Sequence, residues 1–374
     1  MAMDRFQNKI LKFIRDNKLI QRGDCVTVGF SGGADSVCLF TLLHDLKKLI
    51  GIELQAVHVN HNLRGEEALR DEEFCRRLAG DMGERFHAVS VDVTAYAAEH
   101  GLTEEEAGRI LRYAALEEHA EQLRDSVYPG EYTEKNAADD SKGKAPAKCD
   151  NTYKPMQRAL IAVAHHADDQ AETVLMNLMR GTGLKGLCGM SVKRDNIIRP
   201  LLGVSRADIV AYLASRGISY VDDSTNFEND HTRNRLRNII IPELKSEVNT
   251  AASEHIAFSA GIIREAEDFI SGEACKFADR LGEPERDDEG IRLKLNQSEL
   301  KEKARILRIY VIIETLKRLR IPLKDWGEKH FYDIDEALFK NKGHHVDLPG
   351  NAYAENAYKE TYICIRERYI GQSK

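Results

Sequence analysis

One rhythm constrains this chain more than any other feature. Four short runs of apolar and β-branched residues fall at 25–30 (CVTVGF), 54–60 (LQAVHVN), 85–93 (RFHAVSVDV) and 159–166 (ALIAVAHH). Segments with helical periodicity lie between them, at 35–49, 66–82 and 103–123. Such alternation threads a chain through right-handed crossovers into a parallel sheet, so the first half reads as a Rossmann-like α/β domain. The helix at 103–123 carries its own start signal: Thr103 with Glu106 three residues on, the pattern of a capping box.

The rhythm breaks twice. Residues 124–155 are polar, rich in Lys and Asp and nearly free of large aliphatics. A segment of that composition cannot bury much surface, so it reads as a solvated insertion ahead of the fourth strand. Beyond about 245 the strand signal vanishes, and 251–281 and 296–320 read as amphipathic helices. The tail from 343 ends in alternating apolar and polar residues, which fits a small hairpin. The resulting expectation is an α/β domain over 1–225, a connecting segment over 226–246, a helical domain over 247–340 and a short β extension over 341–374. A chain of 374 residues has room for that many units.

Composition excludes several classes. No run of eighteen apolar residues is present, so no membrane-spanning helix is expected. The amphipathic stretch 4–18 is interrupted by charge and lacks a cleavage signal, unlike a secretory leader. The seven cysteines (25, 38, 75, 149, 188, 275 and 364) form no Cys-x-x-Cys pair, which argues against a disulfide framework or a Cys-rich metal site and points to the cytoplasm. A net charge of −7 argues against a surface that coats nucleic acid throughout, while leaving room for a local basic face.

The first strand runs into Ser31-Gly32-Gly33-Ala34-Asp35-Ser36. A glycine pair there lets backbone N–H groups approach an anion, and the next helix adds a partial positive charge. A plain β–α turn would also want glycine. Asp35 shifts the balance: beside phosphates, a carboxylate is sensible only against a cation such as Mg²⁺ or an ammonium, helix capping being its other explanation.

Three further clusters sit where an open α/β sheet binds ligands, at the carboxyl ends of strands. His58 and His61 flank the end of the second strand, with Arg64 just beyond. Arg109 and Arg112 share a helical face, either as a solvated rim or as neutralisers of phosphate charge. His165-His166-Ala167-Asp168-Asp169-Gln170-Ala171-Glu172 follows the fourth strand, and so many carboxylates and imidazoles together want Mg²⁺, an amine or proton transfer. Zinc is disfavoured because the spacing is not His-Glu-x-x-His and no Cys assists. Further on, Arg233, Arg235 and Arg237 form a basic cluster that reads either as a face balanced by nearby acids or as an RNA-phosphate contact. Residues 301–320 carry seven Lys/Arg against two Glu, either a basic track or an ordinary amphipathic helix.

The loop resembles the pyrophosphate loop of the N-type ATP pyrophosphatases, the PP-loop superfamily. Its neighbours narrow the resemblance. "VHVNHNLRG", "RILRY", "HHADDQAET", "RGTGLKGLCGM", "IIRPLL" and "DDSTN…RNRLRN…IPEL", in that order over roughly 25–245, are similar to the bacterial tRNA(Ile)-lysidine synthetase family. The insertion departs from that pattern, and the chain ends earlier than members with a full second C-terminal domain.

The resemblance implies ATP cleavage between the α and β phosphates, with Mg²⁺. L-lysine would be ligated to C2 of the wobble cytidine of a CAU-anticodon tRNA(Ile), through an adenylated cytidine. It carries ATP binding to Ser31, Gly32, Gly33, Ala34, Asp35, Ser36, His58 and Arg64, with Asp35 also the Mg²⁺ ligand. It carries catalysis to Asp35, Arg109, Arg112, His165, Asp169 and Glu172, and contacts to tRNA or lysine to Asp222, Asn226, Arg233, Asn234 and Arg237. The helical domain would bind tRNA, and the oligomeric state stays open, a homodimer included. Rival readings are a tRNA thiolase, which wants paired cysteines, a glutamine-dependent amidotransferase, which wants a glutaminase domain, and a nucleotide sensor, which would not need His165–Glu172.

Overall fold

A computed structural model describes residues 3–62, 66–129, 157–221, 232–287, 290–323, 326–339, 345–349, 352–357 and 360–366. The chain divides into two compact units, Met1–Met176 with Gly189–Phe258, and Asn177–Cys188 with Ser259–Lys374.

The first unit is built on a six-stranded sheet. Its strands are β1 (Cys25–Gly29), β2 (Glu53–Asn60), β3 (Arg85–Ser90), β4 (Ala159–Ala162), β5 (Lys193–Arg194) and β6 (Ile197–Ile198), in the order β3-β2-β1-β4-β6-β5. All neighbours are parallel except the β5–β6 edge pair. The helices are α1 (Arg5–Asp16), α2 (Ala34–Ile50), α3 (Glu66–Asp81), α4 (Val93–His100), α5 (Glu104–Val127), α6 (Ala167–Met179), α7 (Leu184–Leu187) and α8 (Arg206–Ser215), the short α7 falling in the second unit. Central strands covered on both faces are mostly apolar, which is why β1 is buried from Cys25 to Val28, as is α2 from Ser36 to Leu43. Phe30, Phe40, Leu39, Leu42, Leu43 and Leu46 carry that core.

Because β1 lies between β2 and β4, the chain reverses its direction across the sheet at β1. That reversal opens a crevice at the carboxyl ends of the strands. The α5 start is the expected capping box, with Thr103 Oγ1 accepting from Glu106 N–H and Glu106 Oε2 accepting from Thr103 N–H, each at 3.2 Å. Two boundaries move. The fourth strand ends at Ala162, which leaves His165 and His166 in the turn before α6, and α5 runs on to Val127, so 124–127 are helical instead of part of an insertion. The rest of the expected insertion, from 130, lies outside the described residues.

After α8 the described chain resumes as α9 (Thr232–Arg235), a π-helical turn (Leu236–Ile240), α10 (Ile241–Glu243) and a second π-helical turn (Leu244–Val248). The long α11 (Ala252–Ala278) follows.

The second unit corrects the expectation that strands vanish after 245. It holds β7 (Glu285–Asp287), β8 (Gly290–Leu295), α12 (Gln297–Lys301), α13 (Arg305–Arg318), α14 (Glu328–Phe339), β9 (His345–Leu348), β10 (Ala352–Ala357) and β11 (Glu360–Arg366). The strands form one antiparallel sheet, β7-β8-β11-β10-β9, of which the expected tail hairpin is the β10–β11 pair. Ile291, Leu293 and Leu295 alternate with charges at half-sheet period, and Leu293 and Leu295 join Val311, Ile312, Leu316 and Leu338 in the core. In the basic stretch 301–320, Arg305 and Arg308 pair with Asp335, Lys317 with Glu314, and Arg318 with Asp279. Asp335 and Asp279 lie outside the stretch, so these pairs offset two of its five excess positive charges.

Candidate functional site

The turn after β1 is held open by its own side chains. Ser36 Oγ accepts from Gly32 N–H at 3.1 Å and donates to the Gly33 carbonyl at 3.0 Å. Ser31 Oγ lies 3.2 Å from Ser36 Oγ. Gly32 adopts φ +88°, a left-handed conformation, and a Cβ there would meet Cys75 Sγ at 3.2 Å. Gly33 starts α2 with no side-chain cap, leaving the first-turn N–H groups without that partner. Asp35 follows in the first turn. Its Oδ2 accepts from Arg206 at 3.2 Å and lies 3.6 Å from His166 Nε2, while its Oδ1 is buried without a hydrogen-bond partner among the described residues.

The block after β4 folds around the start of α6. His166 precedes the helix, and its N–H donates to Asp169 Oδ2 at 3.0 Å, so Asp169 closes its own helix end. The His166 ring is almost wholly buried, with Nε2 3.4 Å from Asp169 Oδ2 and Nδ1 3.7 Å from Asp168 Oδ2. Burial opposes its charge, but Asp169, Asp35 and Asp168 outweigh burial and raise its pKa above the usual histidine value. His165 goes the other way. Burial, reinforced by Arg199, Arg233 and Arg112 against a contrary pull from Asp169, lowers its pKa to about 4. Arg199 Nε donates to His165 Nδ1 at 3.3 Å, which assigns the neutral ring its proton on Nε2.

The three acids of α6 have separate partners. Asp168 accepts from Arg206 N–H at 2.9 Å, from Ser253 Oγ at 2.8 Å and from Lys245. Burial works against its charge, yet those hydrogen bonds hold its pKa below the usual carboxylate range. Asp169 Oδ1 accepts from Arg237 Nη2 at 2.5 Å and Arg233 Nη2 at 3.5 Å. Glu172, 1% exposed, accepts from Arg237 Nε at 2.6 Å and Arg233 Nε at 2.9 Å. Burial opposes ionisation of Asp169, but His166, Arg237 and His165 reverse the balance and depress its pKa.

A cavity of about 530 Å³ joins these parts. Ser31, Gly33, Asp35 and Ser36 line it from the turn, His165 and Asp169 from the α6 side, and Arg112 and Tyr113 from α5. Desolvation at the wall lowers the Arg112 pKa, aided by the charges of Arg109 and Arg233, although the side chain still reaches solvent. Arg112 stacks on Tyr113 at 5.7 Å and has no hydrogen-bonded or carboxylate partner among the described residues. An accessible guanidinium beside open N–H groups is a seat for an anion.

Eight of the eighteen expected site residues line the cavity: Ser31, Gly33, Asp35, Ser36, His58, Arg112, His165 and Asp169. Gly32 shapes the turn and Ala34 begins α2. His58 lines the cavity with its Nδ1 on the Phe30 carbonyl at 2.9 Å, while exposed Arg109 lies behind Arg112 on Tyr113 at 5.8 Å. Glu172, Arg233 and Arg237 form an ion-pair cluster against Asp169 and do not line the cavity. Asn234 lies on α9 between the two arginines. Arg64, Asp222 and Asn226 fall outside the described residues. Sequence reasoning missed His166, Arg199 and Arg206 as partners. The doubled histidine after β4 and the arginine in "IIRPLL" were the available signals; Arg206 had none.

Residues 2–127 and 149–244 match the PP-loop domain family. A tRNA(Ile)-lysidine synthase of Caldanaerobacter subterraneus is 30% identical over 97% of this chain and 70% of its own length. One of Clostridium perfringens is 31% identical over 96% and 69%. The chain belongs to the tRNA(Ile)-lysidine synthase family. The Clostridioides difficile member is 37% identical over 71% of this chain, and the match spans about half, 51%, of that relative's length. The PP-loop match skips 128–148, inside the polar stretch.

Proposed function

We propose that the chain ligates L-lysine to C2 of the wobble cytidine of a CAU-anticodon tRNA(Ile), using ATP and releasing AMP and pyrophosphate. The product would read AUA in place of AUG. One observation carries the reading beyond family membership. The cavity sets an uncapped Ser-Gly-Gly turn beside a carboxylate cluster, with an Asp35 oxygen and an Arg112 that have no hydrogen-bond partner among the described residues.

On this reading Gly32, Gly33 and Ser36 hold the leaving pyrophosphate. The family's Mg²⁺ suits Asp35 Oδ1, a buried oxygen without a partner among the described residues. Among the described residues no cluster of three metal-ligating side chains exists, so substrate phosphates and water would complete the shell. Bound there, Mg²⁺ offsets phosphate charge. Arg112, with Arg109 behind it, neutralises charge on the transferring AMP. His165, kept neutral with its proton on Nε2, donates a hydrogen bond into the cavity instead of acting as a base. An ammonium is no nucleophile, so Asp169 with Glu172 binds the lysine ε-amine and helps remove its proton. That amine would take the place Arg237 and Arg233 now fill on those carboxylates.

The thiolase reading is disfavoured by the thiols. Burial raises the pKa of Cys25 to about 11 and of Cys75 to about 12, and Cys38 rises too, so none of these three is a ready nucleophile. Incubation with CAU-anticodon tRNA, ATP and labelled lysine, followed by nucleoside analysis, tests the proposal. AMP release that requires both lysine and tRNA is expected. Modification that needs a sulfur donor and no lysine would sink it.

A further inference from the structure

The phosphate end of the cavity accounts for Asp35 and Asp169 but leaves one acid over. Asp71 lines the same cavity from α3, one turn beyond Ala68, which also lines it. The strand order puts β2 and β4 on opposite flanks of β1. His165 and Asp169 follow β4, and the phosphate turn follows β1. The wall made by the end of β2 and by α3 is therefore the far flank, where Val57, Val59, Asn60, Ala68 and Asp71 stand. On the ATP reading, a nucleotide gripped by its phosphates at the turn would set its nucleoside against that wall.

A carboxylate in a triphosphate cavity repels the ligand unless it faces a hydrogen-bond donor. Asp71 is also poorly hydrated, with its side chain 18% exposed. Arg70, 61% exposed, engages only one of its oxygens, Oδ1, through Nη2 at 3.1 Å and Nε at 3.3 Å. Oδ2 has no partner among the described residues. The apolar side chains Val57, Val59 and Ala68 suit a base, and a neighbouring carboxylate suits a vicinal diol, which offers two O–H donors to one acid.

We infer that Asp71 accepts hydrogen bonds from the ribose hydroxyls of the bound nucleotide and makes the site selective for ribonucleotides over deoxyribonucleotides. The inference rests on the ATP reading above and adds a specificity residue to it. Hydrogen bonds to a charged acceptor of this kind correspond to roughly 10- to 100-fold in affinity.

The test is calorimetric binding of ATP, 2′-deoxyATP, 3′-deoxyATP and ITP, with Mg²⁺, to the full chain and to Asp71→Ala and Asp71→Asn. Wild type is expected to bind ATP at least about tenfold more tightly than either deoxy analogue. Asp71→Ala is expected to bind ATP as weakly as wild type binds the deoxy analogues, with its own deoxy affinities little changed. Asp71→Asn, which keeps the shape and one acceptor, should fall between. Circular dichroism and retained deoxyATP binding show that the variants fold. Undiminished ribo-over-deoxy preference in a folded Asp71→Ala overturns the inference. So does a variant that loses only the preference for ATP over ITP, which would move Asp71 to the base. Absence of any ATP binding by wild type would instead remove the ATP reading itself, and the inference with it.

Discussion

Arg237→Gln is the sharpest perturbation of the acidic cluster. Arg237 makes three bonds, to Glu172 Oε1 at 2.6 Å, to Glu172 Oε2 at 3.1 Å and to Asp169 Oδ1 at 2.5 Å. Removing it leaves two buried carboxylates short of a countercharge, and breaking a buried pair in this way costs about 3–5 kcal/mol. Two facts favour the lower end. The Arg237 side chain is 34% exposed, and Arg233 keeps its own bonds to Glu172 and Asp169. A loss of about 3 kcal/mol follows, which for a unit of this size lowers Tm by about 6–12 °C. The pH dependence has a definite sign. Asp169 titrates below its unfolded value of about 3.9, so its ion-pair stabilisation is present above that pH and is lost as pH falls through the depressed folded value. The deficit of the variant is therefore greatest at pH 7 and narrows below about pH 4. Denaturant unfolding of the nucleotide-free protein at both pH values measures it. Glu172→Gln with Arg237→Gln should recover about 1 kcal/mol or more against the sum of the single variants. A Tm change under about 2 °C, or additive single variants, would refute the cluster as a charge-balanced unit.

Other substitutions separate chemistry from scaffolding. Asp35→Asn, which keeps an acceptor for Arg206 but removes the charge, should cut tRNA- and lysine-dependent AMP release by about 100-fold or more; near-normal turnover would remove Asp35 from the site. Gly32→Ala forces an alanine to φ +88° against Cys75, so a stability loss of about 1–2 kcal/mol and weakened ATP binding are expected in denaturation and calorimetry. The two histidines should tilt stability in opposite senses. His165, with a folded pKa of about 4, costs stability as pH falls below its unfolded value of about 6.5, so His165→Gln is less acid-sensitive between pH 4 and 6.5. His166 has a raised pKa, so its contribution is full below about pH 6.5 and fades as pH rises through the folded value; His166→Gln therefore loses most on the acid side. Parallel unfolding curves at pH 5 and pH 8 for both variants would contradict the opposed environments.

What the residue string determined is what short-range physics encodes. Central parallel strands are apolar runs, a glycine pair marks a turn that closes on a backbone, and Thr103 with Glu106 starts a helix whatever lies around it. The alternation of the first four strands with helices, the phosphate turn and the acidic block were legible for that reason. The β7–β8 hairpin was missed because three and six residues of charged strand give a weak signal until β11 pairs with β8 and β8 with β7. Only the tertiary structure decided the state of each charge. Arg206 reaches Asp35 across 171 positions, Arg237 reaches Asp169 across 68, and Arg199 reaches His165 across 34. No periodicity links such partners, because packing around the β1 turn sets their distances. Adjacent His165 and His166 are alike in sequence, yet burial beside arginines lowers the pKa of one and the surrounding carboxylates raise that of the other.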